Sequence, residues 1–218
     1  MTKRFELLVF DWDGTLMDST SSIVASLQAA CGDLDLPVPS HERAHHIIGL
    51  GLIDAMAYVL PGVDPAIYPR VIERYGSHFR QREPDNPLFP GAEDTLRTLK
   101  DRGYLLAVAT GKSRRGLDRV LEKTGLKSVF DVTRCGEESG SKPHPGMLIE
   151  LISVLGVTST ESLMIGDTTH DMQMAINAGV ACVAAAYGAH PKLQLLKLNP
   201  LACFDHPPEL WQWLTRHA

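Results

Sequence analysis

The sequence predicts an α/β protein: a parallel sheet with helices on both faces, carrying one all-helical insertion. Three observations predict it. Four apolar residues, Leu7-Leu8-Val9-Phe10, run straight into Asp11, the pattern of a short strand buried on both faces. From Gly91 onward, strand-like runs and helical stripes alternate, which argues for β-α units and a parallel sheet. Between Asp18 and Glu83, every periodic stretch is helical. At 218 residues the chain can hold one well-buried core, or a core with a smaller inserted domain.

The elements follow in order. After Thr15 a helix is expected over about Ser19–Ala30, with Ile23, Leu27 and Ala30 on one face and Pro37 and Pro39 beyond it. Ser40 is placed to cap a second helix that runs toward Ile47-Ile48. Gly49-Leu50-Gly51 interrupts, and Ile53, Met56, Ala57 and Leu60 resume a helical face up to Pro61-Gly62. Pro65 to about Gln81 forms the last of these helices, with Ile67, Val71, Ile72, Tyr75 and Phe79 as a buried stripe. The proline-rich stretch 83–90 reads as a return to the core.

Beyond it, strands are expected at Tyr104–Ala109, Phe130–Thr133, Leu163–Ile165, Val180–Ala184 and, at an edge, Ala202–Phe204. Helices are expected at Glu93–Arg102, Ser113–Thr124, Pro145–Leu155, Asp171–Ala178, Pro191–Leu198 and Glu209–Arg216. Glycines 103, 125, 156 and 179 stop four of them. The division that follows is a core of residues 1–17 and 86–218 and a helical domain of residues 18–85.

Composition narrows the partners. A net charge of −5 gives no electrostatic case for nucleic acid or an anionic membrane. Cys31, Cys135, Cys182 and Cys203 lack C-x-x-C spacing and suit small buried hydrophobes better than disulfides or ligands. The apolar run before Asp11 is too short for a signal peptide, and none elsewhere approaches a membrane span. A cytoplasmic location, with no membrane partner, is the expectation.

Polar residues end several of the strands. In a parallel sheet the carboxyl ends of the strands form the mouth where ligands bind. Asp11 and Asp13 follow the first strand. Thr110-Gly111-Lys112 follows the second and leads into a helix N-terminus, an anion-binding corner. Lys142 precedes Pro143 and is held extended, ahead of the helix that Pro145 begins. Asp167 follows a buried strand directly, and Asp171 is placed to cap the next helix. Together, four carboxylates (Asp11, Asp13, Asp167, Asp171) face one lysine at this edge, and such a cluster would repel or take up protons. A divalent cation with oxygen ligands removes the conflict, and magnesium suits carboxylates, a backbone carbonyl, water and a substrate phosphate.

The segments D11-W-D-G-T15, T110-G-K112, K142-P-H-P145 and G166-D-T-T-H-D171 resemble, in order, the four motifs of the haloacid-dehalogenase-like hydrolase superfamily. The helical insertion after the first motif resembles the cap of the phosphoglycolate phosphatase and β-phosphoglucomutase-like branch. The resemblance implies a Rossmann-like core with a cap domain, and a magnesium-dependent phosphatase acting on a small phosphorylated metabolite. Phosphoglycolate leads among the candidates. It implies Asp11 as nucleophile and Asp13 as general acid and then base. Thr110, Gly111 and Lys142 would hold the phosphoryl group. Mg2+ would lie on Asp11, the carbonyl of Asp13 and Asp167, with Asp171 supporting. An acid/base aspartate two residues after the nucleophile argues against carbon–halogen substrates.

A sugar phosphomutase, an inorganic pyrophosphatase and a non-catalytic relative are the alternatives, and the oligomer would be a monomer or homodimer. Trp12 reads as a structural plug, His144 as a loop residue and His170 as a rim residue. Two readings stay open for Gly49-Leu50-Gly51, a substrate-selecting loop or a helix break, and Arg80 and Arg82 face either the cleft or water.

Overall fold

The structure, a computed structural model, describes residues 3–218. Its centre is a six-stranded parallel sheet with the order β3-β2-β1-β4-β5-β6. The strands are β1 (Leu7–Phe10), β2 (Leu105–Thr110), β3 (Val132–Cys135), β4 (Ser162–Gly166), β5 (Ala181–Ala185) and β6 (Cys203–Phe204). The helices, in chain order, are α1 (Thr20–Gly32), α2 (His41–His46), α3 (Leu52–Val59), α4 (Tyr68–Arg82), α5 (Ala92–Asp101), α6 (Arg114–Thr124), α7 (Gly136–Ser139), α8 (Gly146–Leu155), α9 (Thr169–Ala178), α10 (Lys192–Leu196) and α11 (Pro207–His217).

β1 shows why its four apolar residues suffice. Successive side chains of a strand point to opposite faces. Leu8 and Phe10 enter one hydrophobic cluster, and Leu7 and Val9 enter the other. β2 divides likewise, with Leu106 and Val108 on the first face and Ala107 and Ala109 on the second. All four β1 side chains are therefore fully buried. The strand order reverses between β1 and β4, so the crevice at their carboxyl ends is the switch point where open α/β sheets bind ligands.

Helices α1 to α4 bury a third cluster of their own, built on residues such as Leu27, Met56, Val71 and Phe79. The chain crosses between this helical part and the sheet twice, and the crossings run side by side. The Asp18 N–H donates to Pro87 O and the Phe89 N–H to Leu16 O, each at 2.9 Å.

Several boundaries differ from the sequence reading. β3 begins at Val132, not Phe130. Asp131 exchanges hydrogen bonds with the backbone of Leu106, which delays the ladder, and Phe130 packs edge-on to Phe10 in the core. The buried face of α3 is Ala55, Met56 and Val59, whereas Ile53 is 58% exposed. Thr168, not Asp171, is the N-cap of α9. Asp171 stands three residues on and completes the capping box, so the helix starts earlier. α10 stops at Leu196, and the chain turns out at Asn199 with φ 52°. The short α7 was not expected from periodicity, since one turn carries none. Among the described residues no helix is long and apolar enough to cross a membrane.

Candidate active site

Asp11 and Asp167 end adjacent strands. Because Phe10 pairs with Ile165 across the ladder, Asp11 comes level with Gly166, one residue short of Asp167, and the Asp11 N–H donates to Ile165 O at 2.9 Å. Both residues are fully buried. Lys142 arrives from the turn before α8 and is also buried. Its Nζ lies 2.8 Å from Asp11 Oδ1 and 2.6 Å from Asp171 Oδ1. These ion pairs are close, charge-assisted contacts, and Asp11 Oδ2 is left buried without a hydrogen-bond partner.

The supporting contacts are short. Thr15 Oγ1 donates to Asp167 Oδ1 at 2.7 Å, and the Ala189 N–H donates to Oδ2 at 2.7 Å. Asp171 Oδ2 accepts from the Thr168 hydroxyl at 2.6 Å and from the Thr168 N–H at 3.0 Å. Gly14 turns the chain directly after the two first-motif carboxylates with φ +83°. A Cβ there would stand 2.2 Å from Asp167 Oδ2, so the position admits only glycine.

Burial in one pocket changes the proton affinity of Asp11 and Asp167. Burial pushes the Asp11 carboxyl up, Lys142 pulls it down, Asp171 pushes it again, and the net is a rise to about 7. Burial, then the charges of Asp11 and Asp171, hold Asp167 well above the usual carboxylate range. Burial draws the Lys142 ammonium down, but Asp11 and Asp171 outweigh it and the net is upward.

Ligand oxygens of Asp11, Asp167 and Asp171 all lie within 4.8 Å of one another. Buried polar atoms without hydrogen bonds call for an ion or ligand to complete them. The hard oxygen donors and their excess negative charge fit Mg2+.

Asp13 stands apart from this trio. Its carboxylate is held by Ser19 Oγ at 2.6 Å and by Lys112 Nζ at 2.9 Å to each oxygen. Lys112 also lies over the Phe79 ring, 4.8 Å from its centroid, so one ammonium ties Asp13 to α4. Thr110 is buried at the end of β2 and lines the same cavity as Asp11 and Asp13. Gly111 lines that cavity too, and its lack of a side chain also sets a close backbone approach. A Cβ there would meet Leu50 O at 2.3 Å and Gly49 O at 2.5 Å, so glycine lets the α2–α3 turn rest on the sheet edge. The neighbouring Gly51 N–H donates to Ser141 Oγ at 2.8 Å. The Gly49–Gly51 turn therefore faces the site.

Two features escaped sequence reading. The Lys112–Asp13 pair joins residues 99 apart and has no local signature. A clasp of histidines closes the far side. Nε2 of His170 and of His190 donate to the His46 carbonyl at 2.8 and 3.1 Å. His190 Nδ1 accepts the Thr169 N–H at 3.0 Å, which fixes the neutral tautomer with the proton on Nε2. Both ring nitrogens of His190 are used in this way, and burial with the neighbouring His170 lowers its pKa to about 4. His170 thus grips α2 from the rim. Trp12 is buried and leans on Phe130, with ring centroids 6.2 Å apart. His144 Nδ1 accepts the Gly146 N–H within its own loop. Arg80 lines the cavity and is exposed, while Arg82 donates to His78 O.

Residues 8–185 match the family described as haloacid dehalogenase-like hydrolase. A protein of Dickeya dadantii (strain 3937) named "Probable phosphatase IndB" is 36% identical over 204 residues, covering 91% of this chain and 89% of its own. A "Phosphoglycolate phosphatase" of Haemophilus influenzae (strain 86-028NP) is 30% identical over 215 residues, covering 94% and 96%. Among solved structures, one titled as a predicted phosphoglycolate phosphatase from Haemophilus somnus 129pt superposes with a TM-score of 0.83 at 26% identity, covering 99% of this chain and 100% of that one.

Proposed function

This chain belongs to the haloacid dehalogenase-like hydrolases, and we propose that it is a magnesium-dependent phosphatase releasing phosphate from a small phosphorylated metabolite. The observation that carries this reading is Asp11. It is a fully buried carboxylate at the sheet's switch point, with a lysine ammonium 2.8 Å from Oδ1 and no hydrogen-bond partner on Oδ2. Such a group is positioned to attack, and covalent catalysis splits one displacement into two easier ones. An Asp11 oxygen bonds to phosphorus as the ester P–O bond breaks, and Asp13 gives its proton to the departing oxygen. Asp13 then takes a proton from water, the water oxygen bonds to phosphorus, and Asp11 leaves as carboxylate.

Asp13 is positioned for both steps by its contacts to Ser19 and Lys112. For its first role Asp13 carries a proton, which it regains from the attacking water in the second step. Lys142 and Thr110 hold phosphoryl oxygens in this reading. Mg2+ would be held by Asp11 and Asp167, with the carbonyl of Asp13 and support from Asp171. When bound, the cation supplies the positive charge that keeps Asp11 ionised and draws charge onto the phosphoryl oxygens. The helical part, residues 18–85, acts as a cap whose turn at Gly49–Gly51 excludes water.

The relatives named phosphoglycolate phosphatase make phosphoglycolate the first ester to assay. Asp11→Asn should end magnesium-dependent phosphate release while preserving the circular dichroism spectrum. Normal turnover in that variant overturns the assignment. Pyrophosphate and a hexose 1-phosphate, run in parallel, separate pyrophosphatase and mutase chemistry from monoester hydrolysis.

A further inference from the structure

We infer that the leaving group of this enzyme's substrate is a bulky, largely apolar body and not a two-carbon acid. The inference rests on the phosphatase reading above and names the substrate class for that same site.

A cavity of about 320 Å3 opens from Asp11, Asp13 and Thr110 into the helical part. Ligand pockets of roughly 300–1,000 Å3 take molecules of drug size, well beyond a two-carbon fragment. Its inner wall is apolar, made by Ile23, Leu27, Ile48, Met56, Ile72 and Phe79. Because Asp13 lines this cavity and is the group that protonates the leaving oxygen, the leaving group extends from the phosphoryl end into its apolar part.

Charge on the wall points the same way. A glycolate-like leaving group carries a carboxylate, and burying one without a cationic partner is costly. The nearest cations are already engaged, Lys112 with Asp13 and Arg119 with Glu83 at 3.1 and 2.8 Å. The guanidiniums of Arg80 and Arg115 line the cavity from exposed positions. Arg80 and Arg115 stand at the exposed rim, so the apolar wall beneath them offers a short acid no buried counter-charge and offers an apolar body a complementary surface.

Gly76 supports this from a different direction. It sits in the interior of α4, where glycine weakens a helix relative to alanine, and it lines the cavity. Its backbone does not require glycine. A Cβ would meet only the end of the Arg80 side chain, at 3.2 Å. What glycine provides there is room at the wall.

The test uses n-alkyl phosphates from ethyl to hexyl, whose leaving alcohols have similar acidity, alongside phosphoglycolate, on the magnesium-loaded wild type. Each methylene buried in the cavity should raise kcat/KM about fourfold. Hexyl phosphate should therefore exceed both ethyl phosphate and phosphoglycolate by more than about tenfold. Gly76→Leu should lower the hexyl-to-ethyl ratio by about tenfold or more, with no fall in melting temperature. Ile72→Ala, which only shortens a side chain, should lower the same ratio severalfold and serves if the first variant misfolds. A flat chain-length series, or phosphoglycolate faster than hexyl phosphate, overturns the inference and leaves the phosphatase reading standing. Failure of the folded, magnesium-loaded wild type to hydrolyse any ester overturns the phosphatase reading, and this inference with it.

Discussion

Replacing Lys142 with methionine keeps most of the side-chain volume and removes the one cation inside the acidic trio. Its ammonium lies 2.8 Å from Asp11 and 2.6 Å from Asp171, and all three side chains are buried. Breaking a buried pair by removing one partner costs about 3–5 kcal/mol, because the remaining charge has neither water nor a partner. For a domain of this size each kcal/mol moves the melting temperature by roughly 2–4 °C, so a fall of roughly 6–20 °C is expected in the presence of a chelator.

The fall should depend on pH. The folded-state pKa values of Asp11 and Asp167 are raised, so the native state binds more protons than the unfolded chain. Their contribution is present at low pH and is lost as pH rises through the folded values, about 7 for Asp11. Without Lys142 these values climb further, and the deficit should be small at about pH 6, where the acids can hold protons, and large at about pH 8. Added Mg2+ should recover part of it, because the cation supplies the missing charge. Thermal unfolding followed by circular dichroism reads all three arms. A chelated variant melting within about 2 °C of wild type at about pH 8, less than 1 kcal/mol by the same scaling, refutes the reasoning.

Three further outcomes are expected. Gly111→Ala should push the Leu50 and Gly49 carbonyls off the sheet edge and lower kcat/KM by about 10- to 100-fold with little change in urea midpoint, since misplacing a site by an ångström costs about that much. His190 has its pKa lowered to about 4, so its contribution to stability is full above the ordinary histidine value and is lost as pH falls toward 4. That amounts to at most about 3 kcal/mol over the window. His190→Asn should flatten the pH dependence of the urea midpoint there, and an unchanged slope would show that the clasp does not exclude protons. Mg2+ at about a hundred times its Kd should stabilise the wild type by about 2.7 kcal/mol. Asp167→Asn should lose most of that gain, and an equal melting shift in both proteins would place the ion elsewhere.

What the sequence determined by itself is what is local or follows from parallel topology. Four consecutive apolar residues make β1 a strand buried on both faces, because a strand shows its side chains alternately to each side. Gly125, Gly156 and Gly179 end α6, α8 and α9 in the left-handed conformation that glycine adopts without strain. Parallel strands joined by helices put all their carboxyl ends on one edge, so Asp11 and Asp167 meet although 156 positions separate them.

Only the tertiary structure decided contacts between segments that share no period. Asp131 sets the start of β3 by bonding to a strand that lies 25 residues earlier in the chain. Lys112 was legible as part of a turn, but its grip on Asp13 and Phe79 depends on how α4 lies over the sheet. Gly111 was readable as a flexible phosphate corner, and its small size serves the approach of another backbone. The His46–His170–His190 clasp comes from three distant segments, and one of its partners is a backbone carbonyl, which the identity of residue 46 does not specify. Periodicity records what each element buries against its own neighbours. Which side chains then meet across a cleft is fixed by packing, after every element has found its face.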